Sequence, residues 1–379
     1  MSVVAASELI ALSREIHADP ELAYEEHRAV ERIAALVERH GHRVERGIGG
    51  VATAFRARSG PASGPAISLL AEYDALPTMG HACGHNLIAM TAVGAFLEAA
   101  SQVTGGGVAI ELIGTPAEEG GGGKIKLLRA GVFAETVAAL SSHASAQARW
   151  VVSEGLLGRA SFRVTFTGVA AHATVSPEEG RSALDAVIAL FNGVAAWRQR
   201  FPAGAHANGI ITAGGEAMNI IPPHAEAHFA LRARTATGLD RLVQEFRDVA
   251  QGAALLTGTT VEVGETGLRY DPPLVNPALA GLLGEELRRL GIEAVHGAAI
   301  PASSDIGNLS QAFPADYIAF PISAAPVPGH STQMRDNAVS EIAHRNAAIV
   351  IDALAASALR LARDGGLRSA LAAAQPPPG

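Results

Sequence analysis

The sequence places a thiol and an imidazole two positions apart, at Cys83 and His85. Cys83 is the only cysteine among 379 residues, and thiolate and imidazole are strong ligands for zinc-like ions. In an extended or turning segment both side chains could face one metal ion. A single buried cysteine is more often a small apolar core residue, but the neighbouring His81 and His85 favour a metal site.

Further ligand and acid–base chemistry occurs where predicted strands end, at the pair Glu118 and Glu119, at His143 and at His330. Because the carboxyl ends of strands in an open parallel sheet converge on one crevice, we expect these groups to lie near the Cys–His pair. One cysteine, three histidines and one glutamate make up to five ligands, which exceeds the three usual for one catalytic zinc. Two ions that share a ligand are therefore predicted, acting on a water molecule and a scissile carbonyl group.

Glu118 and Glu119 are adjacent, so their side chains diverge. One of them can bind metal while the other faces the attacking water molecule. That division suits hydrolysis of an amide, which needs a free carboxylate to take a proton and pass it to the leaving nitrogen. Without the other groups, two glutamates before four glycines would be typical of a solvated loop.

Other site motifs are not supported by the sequence. The glycines at 120–123 are followed by Lys124 and then Ile125, which departs from the phosphate-binding loop pattern. The sequence contains neither the His-Glu-x-x-His pattern of helical zinc proteases nor the Gly-x-Ser-x-Gly pattern of serine hydrolases.

Hydrophobic periodicity predicts the elements that position these residues. Apolar strands alternate with helices in the first part of the chain, which indicates an α/β fold with a mostly parallel sheet. The strands predicted there lie at 51–57, 66–71, 108–113 and 137–140.

The pattern changes near residue 158 to β-α-β-β-α-β, the order of a ferredoxin-like unit. After about residue 267 the α/β pattern resumes. We therefore expect a catalytic metal-binding domain at 1–157 and 268–379, interrupted by an inserted α+β domain at 158–267.

Length and composition favour a cytoplasmic protein of two domains. The chain is 48% hydrophobic and has a net charge of −8 without a block of like charge, which argues against nucleic acid and an anionic membrane surface as partners. A single cysteine fits a reducing compartment. The N-terminus lacks the basic region of a signal peptide, and no uncharged apolar run reaches the roughly 18 residues of a membrane span.

Eight short motifs follow one another in a specific order along nearly the whole chain. They are His17–Leu22, Tyr73–Pro77, Gly80–Asn86, Thr115–Gly120, Gly168–Ala173, Asn219–Pro222, Ser303–Asn308 and Pro328–Ser331. Together they resemble the aminoacylase/carboxypeptidase family of dinuclear metallopeptidases. The branch they resemble includes p-aminobenzoyl-glutamate hydrolase and aminoacylase-like dipeptidases.

The resemblance implies a role for each matching position of the α/β domain. Glu118 would be the general base and then the general acid, and Asp74 would orient groups close to the metals. Asn86 stands where many relatives have aspartate. The metal ligands would be Cys83, His85, Glu119, His143 and His330.

The resemblance also assigns residues of the inserted domain. His172 would stabilise the oxyanion at an active site, often that of the partner subunit. Asn219 and Arg232, interpreted as lying on neighbouring strands, would hold the substrate's carboxylate. The inserted domain would be a moving lid and the surface of a homodimer.

The sequence therefore predicts a metal-dependent amidohydrolase for N-acyl or aryl-acyl amino acids or dipeptides that bear a free carboxylate. We expect two divalent ions per chain, with zinc as the first choice and manganese, nickel or cobalt as alternatives. Two other functions remain open: an aminohydrolase that releases ammonia on the same scaffold, and a catalytically silent relative that binds a carboxylate ligand.

Overall fold

The computed structural model of the chain describes residues 4–103, 107–297 and 300–377. These residues form two compact units. The smaller unit consists of Leu156–Pro272 together with Pro301–Ser303, and the larger unit contains the other described residues. The predicted insertion at 158–267 falls inside the smaller unit.

The strands of the described residues are, in chain order, β1 Val44–Arg46, β2 Phe55–Ser59, β3 Ala66–Ala71, β4 Ala109–Gly114, β5 Thr136–Ser145, β6 Val151–Val152, β7 Gly158–Thr167, β8 His206–Ala213, β9 His224–Ala233, β10 Thr260–Glu265, β11 Val295–His296 and β12 Ala315–Pro321. The α-helices are α1 Ala6–Ala18, α2 His27–Arg39, α3 His85–Ala100, α4 Gly123–Arg129, α5 Ala183–Trp197, α6 Ala236–Thr257, α7 Pro277–Arg289, α8 Ile306–Ser310, α9 Thr332–Asn337, α10 Glu341–Arg363 and α11 Gly365–Ala374.

The larger unit is built on an eight-stranded sheet with the order β1-β2-β4-β3-β5-β12-β6-β11. The central strands β4, β3, β5 and β12 run parallel to one another, and antiparallel pairs are found towards the edges. β3, β4 and β12 are buried along their whole length, as strands covered on both faces are. The expected α/β fold with a mostly parallel main sheet is confirmed.

Two apolar helices cover this sheet. α3 is buried almost throughout and packs on β3, β5 and α10. By length and mean hydropathy α10 would also qualify as a membrane span, but 67% of its apolar window is buried inside the protein. That burial is typical of a core helix.

The smaller unit has the predicted β-α-β-β-α-β order. Its antiparallel sheet runs β10-β7-β9-β8, and α5 and α6 pack on one face of it. Along β7, buried Phe162, Val164 and Phe166 alternate with more exposed residues. The sheet therefore has one face in an apolar core and one open face.

Two predicted strands have different limits in the structure. β2 begins at Phe55 and not at Val51, because residues 52–53 form a turn. β5 continues past Leu140 to Ser145, since β12 pairs with it as far as Pro321. This parallel pairing, which local sequence does not reveal, places His143 within a strand.

Candidate metal centre and active site

The carboxyl ends of three neighbouring strands gather acidic and imidazole groups at one edge of the main sheet. Glu72 and Asp74 follow β3, Glu118 and Glu119 follow β4, and β5 carries His143 near its end. Because β4, β3 and β5 are parallel and adjacent, these side chains meet at one place.

The first group of potential ligands consists of Cys83, His85 and His143, whose donor atoms lie within 4.8 Å of one another. Hydrogen bonds orient both imidazoles. His85 Nδ1 donates to Asp74 Oδ1 at 3.0 Å, and His143 Nδ1 donates to the Ala144 carbonyl at 2.9 Å. Each ring therefore presents the lone pair of Nε2 for binding, as a metal ligand must.

Cys83 also belongs to a second group, with Glu119 and His330, whose donor atoms again lie within 4.8 Å of one another. Glu119 Oε1 is 3.7 Å from His330 Nε2 and 3.9 Å from His85 Nε2. The Glu119 backbone N–H donates to Asp74 Oδ2 at 2.9 Å, so Asp74 orients one member of each group. The structure thus brings the five predicted ligands and Asp74 together in the larger unit.

These donors fit a pair of divalent metal ions. His85 Nε2, Glu119 Oε1 and Glu72 Oε2 are buried and have no hydrogen-bond partner among the described residues. Buried polar atoms without partners are costly, and a cation held by their lone pairs would remove that cost. Burial raises the pKa of the Cys83 thiol, so an ion bound there would displace the thiol proton.

Glu118 is buried beside the two ligand groups. Its Oε2 is 4.0 Å from His85 Nε2, and with Glu72 and His85 it forms a third group of closely spaced donor atoms. Burial raises the pKa of Glu118, and the neighbouring Glu72 carboxylate raises it further. A carboxyl group with a raised pKa is suited to accept a proton and to return it.

The sequence interpretation missed three residues that balance charge in this cluster. Lys124 is fully buried, and its Nζ lies 2.8 Å from Glu72 Oε1 and 2.6 Å from Asp305 Oδ1. Asp305 also accepts a hydrogen bond from the Lys124 backbone N–H at 3.0 Å. The sequence contains only weak signals that these residues belong to the site. Glu72 directly follows an apolar strand, and Asp305 lies in the motif Ser303–Asn308. Lys124 draws notice only because the residue after it departs from the phosphate-binding loop pattern.

His172 lies in the smaller unit and is exposed. Its Nδ1 accepts hydrogen bonds from the backbone N–H groups of Thr174 and Val175, both at 3.2 Å. These bonds assign the ring proton to Nε2. An imidazole held in this tautomer presents an N–H donor, which is the group that an oxyanion needs.

Asn219 and Arg232 lie at opposite ends of β9. Asn219 precedes the strand, in a loop where its carbonyl accepts the Ala173 N–H at 3.0 Å. Arg232 is near the far end of the strand and pairs with Arg159 of β7. The strand alone spans roughly 25 Å between His224 and Arg232, and Asn219 lies before its start. The expectation that they lie on neighbouring strands was wrong, because the chain before β9 forms a loop.

Comparisons with known proteins agree with this arrangement. The family described as "Peptidase dimerisation domain" matches residues 155–256. The fold is similar to that of a dinuclear metal-binding peptidase of the M20 family from Bacillus subtilis, with a TM-score of 0.76, 20% identity and coverage of 94% of this chain and 98% of that one. An aminobenzoyl-glutamate utilization protein from Klebsiella pneumoniae has a TM-score of 0.71 and 22% identity, covering 95% of this chain and 97% of that one.

Two relatives match in sequence over nearly the whole chain. One of the subunits of the p-aminobenzoyl-glutamate hydrolase of Escherichia coli is 30% identical over an alignment that covers 92% of this chain and 88% of that protein. The Xaa-Arg dipeptidase of Mus musculus is 35% identical over 372 residues, which cover 94% of this chain and 86% of that protein. This chain is a member of the M20 peptidase family. The resemblance drawn from the eight motifs is confirmed, and this M20 peptidase is a metal-dependent hydrolase.

Asn86 of this M20 peptidase has a structural role. Its side-chain amide donates to Ser13 Oγ and to the Ala338 carbonyl, both at 2.9 Å. The side chain therefore ties the start of α3 to α1 and to the end of α9. Its partners place it outside both ligand groups.

Proposed function

We propose that this M20 peptidase hydrolyses the amide bond of N-acyl amino acids, aryl-acyl amino acids or dipeptides that bear a free carboxylate. One observation carries the proposal: five metal-ligand side chains from separate parts of the sequence converge beside Glu118, a buried carboxyl group that is available for proton transfer. A binding module has no need of such a proton carrier. The relatives that match over most of the chain are a dipeptidase and an aryl-amide hydrolase, which supports this class of substrate.

We further propose that the site holds two divalent ions, with zinc as the first choice. Cys83 belongs to both groups of ligands, so it is the residue placed to be shared. His85 and His143 would complete one site, and Glu119 and His330 the other. When bound, such ions lower the pKa of a water molecule and polarise a carbonyl group.

The protein's own residues would then carry out the proton transfers. Glu118 accepts a proton from the attacking water molecule and afterwards donates it to the departing nitrogen. Burial and the like charge of Glu72, which is paired with Lys124, keep the pKa of Glu118 raised against the opposing positive charge of Lys124. The Nε2–H of His172 donates a hydrogen bond to the oxyanion formed during attack.

A homodimer is part of the proposal. Asn219 lies before the start of β9 and Arg232 lies near its end, with roughly 25 Å of strand between them, so we infer that one small carboxylate does not contact both residues of the same protomer. Two protomers could supply one residue each. The match to a peptidase dimerisation domain supports a dimer, as do Ile210 and Ile211, which are 64% and 46% exposed on the edge strand β8. A single cysteine, needed as a thiolate, is consistent with a cytoplasmic location.

The test combines metal analysis with a substrate panel. The purified protein is assayed for metal content, and then incubated with N-acetyl amino acids, p-aminobenzoyl-glutamate and dipeptides, with and without a chelator. We expect about two ions per chain and chelator-sensitive release of a free amino acid. Ammonia release without amide cleavage would replace the proposal with an aminohydrolase. Metal binding without release of either product would favour the silent binding protein.

A further inference from the structure

Two arginines face each other on the open face of the smaller unit's sheet. The antiparallel pairing of β7 with β9 puts Arg159 directly opposite Arg232. Their neighbours Ala160 and Leu231 are buried in the core beneath the helices. Because successive side chains of a strand alternate between faces, both arginines project from the face without helices.

Neither arginine has a carboxylate within ion-pair distance among residues 4–103, 107–297 and 300–377. The Arg159 guanidinium lies 4.5 Å from the centre of the Tyr270 ring, and its Nε is buried without a hydrogen-bond partner in the described part of the chain. Arg232 donates a hydrogen bond to the Ser303 hydroxyl, which carries no charge.

Two other arginines of the same unit lie beside acids. Arg163, four residues further along β7 and on the same face, lies 3.4 Å from Glu226. Arg269 is paired with Asp240 and with Asp271. These three acids are engaged by other arginines, and the described residues place no carboxylate in ion-pair distance of Arg159 or Arg232.

This arrangement is electrostatically costly when no ligand is bound. Burial lowers the pKa of Arg232, and the positive charge of Arg159 lowers it further. A carboxylate fits a guanidinium through two parallel hydrogen bonds. Two adjacent guanidinium groups match two carboxylates, and they repel a cationic group.

We propose that Arg159 forms a second carboxylate subsite beside Arg232, so that the preferred leaving amino acid carries an acidic side chain. The inference rests on the proposed amide hydrolysis and narrows its substrates. Arg232 would bind one carboxylate of the leaving residue and Arg159 the other. A leaving residue with a basic side chain would be disfavoured.

Steady-state kinetics on three substrates test the subsite. The wild-type protein and Arg159→Gln are assayed with N-benzoyl-glutamate, N-benzoyl-glutamine and N-benzoyl-arginine. We expect the wild-type protein to prefer the glutamate substrate. We expect Arg159→Gln to lower kcat/KM for glutamate by about 10–100-fold, mainly through KM, and to leave the glutamine substrate nearly unaffected.

Two variants serve as controls. Arg163→Gln removes a paired arginine from the same strand and face, and it should change none of the three rates. Arg159→Lys restores the positive charge without the guanidinium fork, and it should recover part of the preference for glutamate. If Arg159→Gln slows the glutamate and glutamine substrates equally, or if the wild-type protein prefers the arginine substrate, the proposal is overturned.

Calorimetric binding of glutarate separates this proposal from the hydrolase assignment. Glutarate has two carboxylates and no amide bond, and it is titrated into the metal-loaded protein and its variants. Weaker binding to Arg159→Gln but not to Arg163→Gln, together with no cleavage of any amide, would retain the arginine subsite and reject the hydrolase. Amide cleavage with no effect of Arg159→Gln in either assay would retain the hydrolase assignment and reject the arginine subsite.

Discussion

The two units contain charge imbalances of opposite sign. In the larger unit, Glu72, Asp74, Glu118 and Glu119 lie close together beside the thiol and imidazole ligands, and Lys124 lies in ion-pair distance of Glu72. In the smaller unit, Arg159 and Arg232 lie opposite each other on one face, and the described residues place no carboxylate in ion-pair distance of either. An acidic cluster with unpartnered lone pairs is suited to cations, and an arginine pair is suited to anions. The difference shows which chemical class of ligand each unit can take.

The largest expected effect concerns the two adjacent glutamates of the acidic cluster. Glu118→Gln should lower kcat by about 10²–10⁴-fold and leave the metal content unchanged, because it removes the proton carrier and no proposed ligand. Glu119→Gln should instead lower the metal content. Turnover and metal analysis are measured on both variants. If Glu118→Gln loses metal and Glu119→Gln keeps all of it, Glu118 is the metal ligand and Glu119 is the proton carrier.

The balancing cation of the same cluster should be important for folding. Lys124→Met would leave Glu72 and Asp305 buried without their partner, and removal of one member of a buried ion pair costs about 3–5 kcal/mol. Urea denaturation measures the free energy of unfolding. Lys126→Met on the same helix is the control, since Lys126 is exposed and packs over Tyr24, and it should cost less than about 1 kcal/mol. Equal effects of the two variants would contradict this account of the cluster.

Asp316 is a buried acid outside the metal-ligand groups, and it shows how burial acts where no ligand is expected. Burial raises the pKa of Asp316 to about 6, although Ser153 and the Tyr317 N–H donate hydrogen bonds that oppose the shift. The folded protein therefore binds this proton more tightly than the unfolded chain, whose aspartates titrate near a pKa of about 3.9. The stabilisation is complete below that value and is lost as the pH rises through about 6.

Asp316→Asn removes this pH dependence. Relative to the wild-type protein, the variant should be more stable at pH 8 than at pH 4 by about 2–3 kcal/mol. Urea denaturation of both proteins at several pH values gives the difference, and effects of the metal ligands cancel in it. A difference that does not vary with pH would show that Asp316 keeps its ordinary pKa.

The smallest effect on the free energy of unfolding is expected at the arginine pair. Because Arg159 has no acidic partner among the described residues, Arg159→Gln should change the free energy of unfolding by less than about 1 kcal/mol. Its positive charge should matter only when an anion is bound. A loss as large as that of Lys124→Met would show that the Tyr270 contact makes Arg159 structural, and it would remove the contrast between the two units.

The local sequence was informative where one short segment carries both an element and its chemistry. Cys83 lies two residues before His85, the first residue of α3, and the strand before Glu118 is apolar except for Glu111. The β-α-β-β-α-β order of the smaller unit could also be predicted, since alternation and helical periodicity are local properties. Asn219 was placed on a strand, although Gly214-Gly215 and Pro222-Pro223 on either side of it are local signals of a loop.

The sequence by itself determined the α/β class, the inserted ferredoxin-like unit and the convergence of the five candidate ligands, because strand ends in a parallel sheet meet at one edge. Tertiary structure decided which charges meet. The burial of Lys124 between Glu72 and Asp305, and the pairing of Arg159 with Arg232, depend on contacts between segments distant in the chain. The physical reason is that strand register and side-chain contacts are set by packing of the whole unit, and no periodicity within a single segment encodes them.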